Sequence, residues 1–398
     1  MTPWIRSSVT LLSLSLLCAG SAIAQTSAQE AKSQFQLLQQ EWQSLVKQLQ
    51  QKNQQKSASG KQGRGPIDHE IDDLYKQSDA MVDKIVAAGI GTVRSGIKDD
   101  PMINSTLVAI AGFYVTGDAK GDGGDQYEKA LPLIKSMLSA DVGKNSPELW
   151  LWGGVSAFAL NDFSLAKQYL DQARSAGQIG ASPPGRGQTD PRNRVWQLAA
   201  SCANSLAQTR THWEQEKRIR AAEADADDLP RVKMHTSRGD IVIELLENDA
   251  PIAVANFIAL VKQDYYDGLT FHRVLPAFMA QGGDNQRGGP GYTIRCECYQ
   301  PSYRKHFRGS LSMAKPSNPP RDSGSAQFFL TFVPKGHLDG KHTVFGRVIE
   351  GMEVAASLKR RNPDPRVPGP KPTPDKIVHA HVLRDRGHQY EFEKLPSQ

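Results

Sequence analysis

The spacing of apolar residues changes at Pro230, and no single fold accommodates both sides of that change. Before it, apolar residues recur every three or four positions, as on the buried face of a helix. After it, Val232 and Met234, then Ile241, Ile243 and Leu245, alternate as strand residues do around a turn at Ser237 to Asp240. The chain has 398 residues, and compact domains run to roughly 100–200 residues, so two domains are expected. An all-α region is therefore predicted ahead of a β-rich domain that starts at residue 230. The charged, Ala-rich stretch 214–229, which shows no apolar face, is the expected linker.

Within the helical part, Phe35, Leu38, Trp42, Leu45 and Leu49 form a narrow stripe along a Gln-rich helix at 25–56. That stripe needs a partner surface, and docking on the following helices suits its two heptads better than a coiled coil. Ser57 to Gly65 reads as a flexible connection. A helical domain follows at 66–213. Its first helix carries Ile71, Leu74, Met81, Val82 and Ile85 and is expected to end near Gly89 and Gly91. Further helices are expected near 107–115, 127–138, 147–160, 163–176 and 192–207. Trp150, Gly154, Phe163, Ala166, Leu170 and Ala173 sit at the offsets of a tetratricopeptide helix pair. That resemblance covers roughly one and a half units, because the glycine-rich turn Gly117 to Gly124 is longer than the repeat has. A non-repeating bundle accounts for the same pattern.

Residues 1–24 have a short start with Arg6, an apolar run from Val9 to Leu17, and Ala22-Ile23-Ala24 as a small-x-small cleavage site. This is the pattern of an export signal, which places the mature chain in the periplasm or cell envelope. The apolar run is about half of what a membrane-spanning helix needs, and no stable span is expected. The net charge of +6 is modest for this length. No long Lys/Arg block with interleaved aromatics is present, so nucleic acid is not an implied partner. The four cysteines form no CxxC pair and no zinc quartet, and no metal or cofactor is expected. Cys296 and Cys298 would close a very small strained loop, so they are expected as reduced, packed thiols.

The chemistry-bearing segments all follow Pro251. They are FHRVLPAFMAQGGD at Phe271 to Asp284, LSMA at Leu311 to Ala314, SAQFFL at Ser325 to Leu330, and HLDGKHTVFGRV at His337 to Val348. An arginine set among Phe271, Val274, Leu275, Phe278 and Met279 must place five donors, and an edge-strand pairing with a carboxylate would serve for the arginine alone. Taken together in this order, the segments closely resemble the cyclophilin family of peptidyl-prolyl cis/trans isomerases over Arg231 to Arg384.

The resemblance implies a multidomain chain whose C-terminal domain, 230–388, is a closed eight-stranded antiparallel β-barrel capped by two helices, with a short tail at 389–398. It implies a substrate groove on the outer face. Arg273 takes the place of the catalytic arginine, with Gln281 beside it. Phe278, Met279, Phe329 and Leu338 match the apolar proline pocket. Ala314, Gln327 and His342 match further groove positions, and Lys315 lies in a stretch that offers backbone hydrogen bonds. His337 stands at the rim where well-known members carry tryptophan, a departure that bears on cyclosporin-type inhibitors more than on isomerisation. The loop Lys315 to Asp322 looks longer than in compact members.

These residue types suit the chemistry. Rotation about an X-Pro bond meets a barrier of ~18–20 kcal/mol and makes or breaks no bond to a heavy atom. A permanent donor placed where the prolyl nitrogen regains its lone pair favours the twisted state. Proline-containing polypeptides are the implied partners, and the helical region is a candidate surface for a protein partner. The competing reading is a helical scaffold or holdase whose C-terminal unit mainly binds proline-containing segments. The motif set lies wholly within Leu229 to Gln398, so that fragment is expected to fold and turn over peptide alone.

Overall fold

The computed structural model describes residues 7–58, 64–118, 122–180, 191–316, 320–367 and 371–396. The chain divides into two compact units, Met1–Ala111 with Leu133–Ser146, and Gly112–Pro132 with Pro147–Gln398.

In the first unit, α1 (Ser7–Ala58) packs along α2 (Arg64–Arg94). Phe35 and Leu49 are buried, as are Ile71 and Ile85 opposite them. The Trp42 indole N–H donates to the Ser78 hydroxyl at 3.1 Å. The stripe thus docks on the following helix. The helix α1 is continuous through the expected cleavage point after Ala24; the side chains of the leading segment lie outside the described residues. Gly89 and Gly91 do not end α2. A Cβ at Gly89 would lie 2.9 Å from Leu107 and 3.1 Å from Phe35, so this glycine permits close approach rather than termination. Leu107 belongs to α3 (Pro101–Thr116). No helix among the described residues is long and apolar enough to cross a membrane.

The second unit holds the end of α3, the start of α4 (Tyr127–Ser139), and the helices α5 (Glu148–Ala159), α6 (Phe163–Ser175) and α7 (Pro191–Ala226). α5 and α6 nest closely, since a Cβ at Gly154 would meet Leu170 at 2.7 Å. Asp162 caps α6 by accepting from the Leu165 amide at 3.1 Å. The expected linker at 214–229 is instead mostly helix, the end of α7. It carries no apolar face because its buried face is acidic. Glu216 and Glu223 accept from Arg304, Glu223 also accepts from Arg347, and Arg347 donates in addition to Glu244. The Trp213 ring packs edge-on to Phe307 at 4.9 Å.

The β-rich part forms an eight-stranded antiparallel curled sheet. Its strands are β1 (Arg231–Thr236), β2 (Gly239–Leu245), β3 (Arg273–Leu275), β4 (Met279–Gly282), β6 (Ser310–Met313), β7 (Phe328–Thr331), β8 (Val344–Glu350) and β9 (Ile377–Arg384). They lie in the order β3-β4-β7-β6-β8-β2-β1-β9. Full closure of a barrel is not what the pairing gives. Among the described residues the two ends, β3 and β9, share no ladder; an isolated bridge, Thr270 to Lys376, ties the stretches that precede them. The interior is filled by Ile243, Val274, Ala280, Phe328, Leu330 and Phe345, against which α8 (Pro251–Val261) buries Phe257. Pro251 opens α8, and the Glu297 carboxylate accepts from its Ile252 and Ala253 amides, both at 2.9 Å. A short helix α9 (Met352–Ser357) lies near β2, and β5 (Tyr292–Thr293) pairs with β10 (Leu395–Pro396) at the C-terminus. Cys202, Cys296 and Cys298 are free thiols.

Candidate active site

Strand alternation sends neighbouring side chains to opposite faces of a sheet. In β3, β4 and β7 the inward set is Val274, Ala280, Phe328 and Leu330, and the outward set contains Arg273, Met279, Gln281 and Phe329. Register then aligns the outward set: Arg273 lies across from Gln281, Gln281 from Phe329, and Phe329 from Ser312 in β6. A row of one cation, one amide and one aromatic ring crosses adjacent strands on the outer face.

Beside that row, Met279, Ala314, Phe329 and Leu338 form a buried apolar cluster separate from the interior core, with Leu275 and Phe278 packed against it. Leu338 reaches it from a one-turn helix at Gly336–Leu338. The Arg273 guanidinium donates to the Gln281 side-chain oxygen across a long 3.4 Å, and Gln281 Nε2 donates to Gln327 Oε1 at 2.9 Å. Burial lowers the pKa of Arg273 from its usual value, yet a guanidinium stays protonated near neutrality. Its Cζ lies 6.0 Å from the Phe278 ring centre.

His337 is exposed at the rim, its ring 6.0 Å from that of Phe278 and tilted by 30°. The His342 ring stands edge-on to Phe329 at 5.4 Å. Its Nδ1 lies 3.0 Å from the Met313 carbonyl oxygen, so Nδ1 carries the proton and Nε2 is the free acceptor. Burial depresses both imidazoles, helped at His337 by the Lys335 and Lys341 charges. The Ala314 amide donates to the Gln327 carbonyl at 2.9 Å, an edge contact that holds β6 to the start of β7. Lys315 directs its ammonium to the Arg321 carbonyl at 3.1 Å rather than into the cluster.

Sequence reasoning brought ten of these side chains to one face but passed over His306. Its ring stacks on Phe329 at 5.9 Å and 5°, while its Nδ1 lies 2.8 Å from Asp339. His306 thereby supports the ring that floors the cluster. No local pattern marks it, since Asp339 is 33 residues away.

Residues 231–382 match the family described as cyclophilin type peptidyl-prolyl cis-trans isomerase/CLD. A peptidyl-prolyl cis-trans isomerase of Helicobacter pylori is 49% identical over 131 residues, which cover 31% of this chain and 77% of that one. The chain belongs to the cyclophilin family. Peptidyl-prolyl cis-trans isomerase B of Bacillus subtilis is 47% identical over 121 residues, covering 30% of this chain and 82% of the relative. A solved cyclophilin type isomerase from Cryptosporidium parvum matches 39% of this chain and 99% of its own length at 28% identity, with a TM-score of 0.35. The family match begins at residue 231, after the helical region.

Proposed function

We propose that this cyclophilin is an exported isomerase in which Arg273 drives X-Pro rotation in polypeptides bound over the outer apolar cluster, assisting their folding. The observation that carries the reading is the adjacency of that cluster to the row Arg273, Gln281 and Phe329. A prolyl ring resting on Phe329, between Met279 and Leu338, would be held in a surface that excludes water while the preceding residue swings. As the amide twists, its nitrogen turns pyramidal and gains acceptor character. A guanidinium N–H aimed there binds the twisted state better than either planar state, which is the condition for acceleration. The hydrogen bond from Arg273 to Gln281, itself tied to Gln327, restricts the guanidinium before substrate arrives.

Export rests on the Arg6, Val9–Leu17 and Ala22-Ile23-Ala24 pattern of the leading segment. The nested α5–α6 pair supports a tetratricopeptide-like unit, a shape suited to holding a protein partner. The test of the activity is turnover of a short Ala-Pro peptide by the full chain and by Arg273→Ala. A parent chain that binds the peptide without accelerating its isomerisation would return the case to the holdase reading. Export is tested by N-terminal sequencing of the protein recovered from the cell envelope; a mature chain that begins at Met1 and stays inside the cell sinks it.

A further inference from the structure

The turn joining β3 to β4 carries Ala277 at a φ of 55°, a left-handed conformation uncommon for a residue with a side chain. Its amide N–H is not satisfied from within the hairpin. It is donated to the Asp125 carboxylate, 2.9 Å from one oxygen and 3.1 Å from the other. Asp125 lies 152 residues earlier, at the end of the glycine-rich turn between α3 and α4, and is itself buried.

The described part of that turn, residues 117–118 and 122–126, is held in place. A Cβ at Gly117 would lie 2.7 Å from the Asp122 carbonyl oxygen, and one at Gly123 would strike the Phe113 ring at 2.5 Å. The Gly124 amide donates to the Phe113 carbonyl at 3.0 Å, and the Gln126 amide to that of Tyr114 at 2.9 Å. From the sheet side, Arg360 donates to the Gly124 carbonyl at 2.8 Å and to the Asp125 carboxylate at 2.9 Å. Arg308 grips Glu128 with two bonds of 2.7 Å and donates to the Asp125 carbonyl at 2.8 Å. The Tyr127 hydroxyl, fully buried, donates to the same carboxylate at 2.9 Å. Arg308 also donates to the carbonyl of Phe332, whose own amide donates to the Phe278 carbonyl at 2.9 Å.

We infer that Asp125 is a positioning residue for the isomerase, a strut from the helical region that fixes the β3–β4 turn and so sets Phe278 against the proline pocket. Ala277 is bonded directly to Phe278, and the turn separates Arg273 from the apolar cluster it serves. Release of the Ala277 amide frees the Phe278 end of the hairpin first. Arg273 is held independently through its ladder with Gln281. The strut therefore acts on substrate affinity more than on the chemical step. The kinetic half of this inference rests on the isomerase reading; the structural half does not.

The experiment compares the full chain with Asp125→Ala and Asp125→Asn, reading amide hydrogen exchange at Ala277 together with kcat and KM for an Ala-Pro peptide. In Asp125→Ala, exchange at Ala277 is expected to rise roughly tenfold or more, about the weight of one charge-assisted hydrogen bond, while Leu330 stays protected. KM should rise severalfold with kcat changed less than about twofold, and Asp125→Asn, which keeps one acceptor oxygen, should fall between. Unchanged exchange at Ala277, or a loss confined to kcat, overturns the inference. Should Asp125→Ala fail to fold, Glu128→Gln loosens the same strut through Arg308; faster exchange at Ala277 supports the inference and unchanged exchange overturns it. A parent chain without turnover defeats the isomerase reading alone, because the exchange comparison still decides the strut.

Discussion

Arg273 and Phe329 share one cross-strand partner, Gln281, and so stand two strand spacings apart on the outer face. Adjacent strands are about 4.8 Å apart, which puts their backbones roughly 10 Å from one another. On the proposed reading, a prolyl ring lying on Phe329 would fill that interval and leave its nitrogen within reach of an extended arginine.

Replacing Arg273 by alanine removes the donor and leaves the apolar cluster in place. Turnover should fall by about 10²–10³, the usual loss for one preorganised donor. Peptide affinity, followed by chemical-shift titration, should change far less. Equal losses in both would assign Arg273 to binding and not to the twisted state.

Both groove imidazoles have depressed pKa values, by burial first, so both are neutral above their ordinary value of about 6.5. Turnover should be flat from there upward, with any loss confined to more acidic solution. His337→Trp should keep turnover within about threefold and tighten cyclosporin-type inhibitors, since the indole adds apolar area and a donor. A histidine-like inflection that vanishes in the variant, with unchanged inhibitor affinity, would give His337 a direct role in turnover.

The Cys296 and Cys298 sulfurs lie 3.0 Å apart. The hydrogen bond from Cys298 lowers the Cys296 thiol to about 5, against the opposing effect of burial, and the Thr343 hydroxyl assists; Cys298 is raised in turn. Cys296 should therefore react with iodoacetamide at mildly acidic pH, with a rate already level near neutrality, where a free thiol of pKa about 8.5 is still gaining. Mass mapping of the adduct checks this. A rate that climbs through that higher value, or labelling at Cys298 first, would refute it.

Glu223 serves two buried cations, Arg304 at 2.5 Å and Arg347. Truncating one partner of a buried pair strands the other, so Glu223→Ala should lower stability by about 3 kcal/mol in urea unfolding. Burial works to raise the neighbouring Glu216 carboxyl, but the Arg304 hydrogen bond and charge outweigh it and the net shift is downward. Glu216 thus stabilises the fold above the ordinary glutamate value of about 4.3, and that contribution is lost as pH falls through its depressed value. The fragment beginning at Leu229 lacks Glu216 and Glu223, and Asp125 and Glu128 as well. It is accordingly expected to unfold at lower urea than the full chain, a revision of what the motif positions alone predict. Equal midpoints would show that these carboxylates contribute nothing.

Legibility followed the range of the interactions. The alternation in Val232, Met234 and Ile241 to Leu245 depends on neighbours two positions away, and the strands stand where it put them. The grouping of the candidate site residues was legible because they fall in a few short segments joined by register, while the role of each came from the family resemblance. The end of α7 was not, because its packing is ionic and its partners are 81 and 124 residues distant; an apolar-face criterion cannot see a buried acidic face. Asp125 escaped for the same reason, and only the unusual length of its glycine-rich turn marked the place. The closed barrel, which the family resemblance implied, is instead a curled sheet whose outermost strands, β3 and β9, share no ladder among the described residues.

The acidic face of α7 has a consequence for synthesis on the ribosome. Glu216 and Glu223 emerge well before Arg304 and Arg347, and carboxylates waiting in water carry no desolvation penalty. The arginines, made later, meet carboxylates that are already translated as the sheet curls around them. A circular permutant that moves α7 behind the sheet reverses this sequence, and the nascent sheet must then close over cations whose counter-charges have not yet been translated.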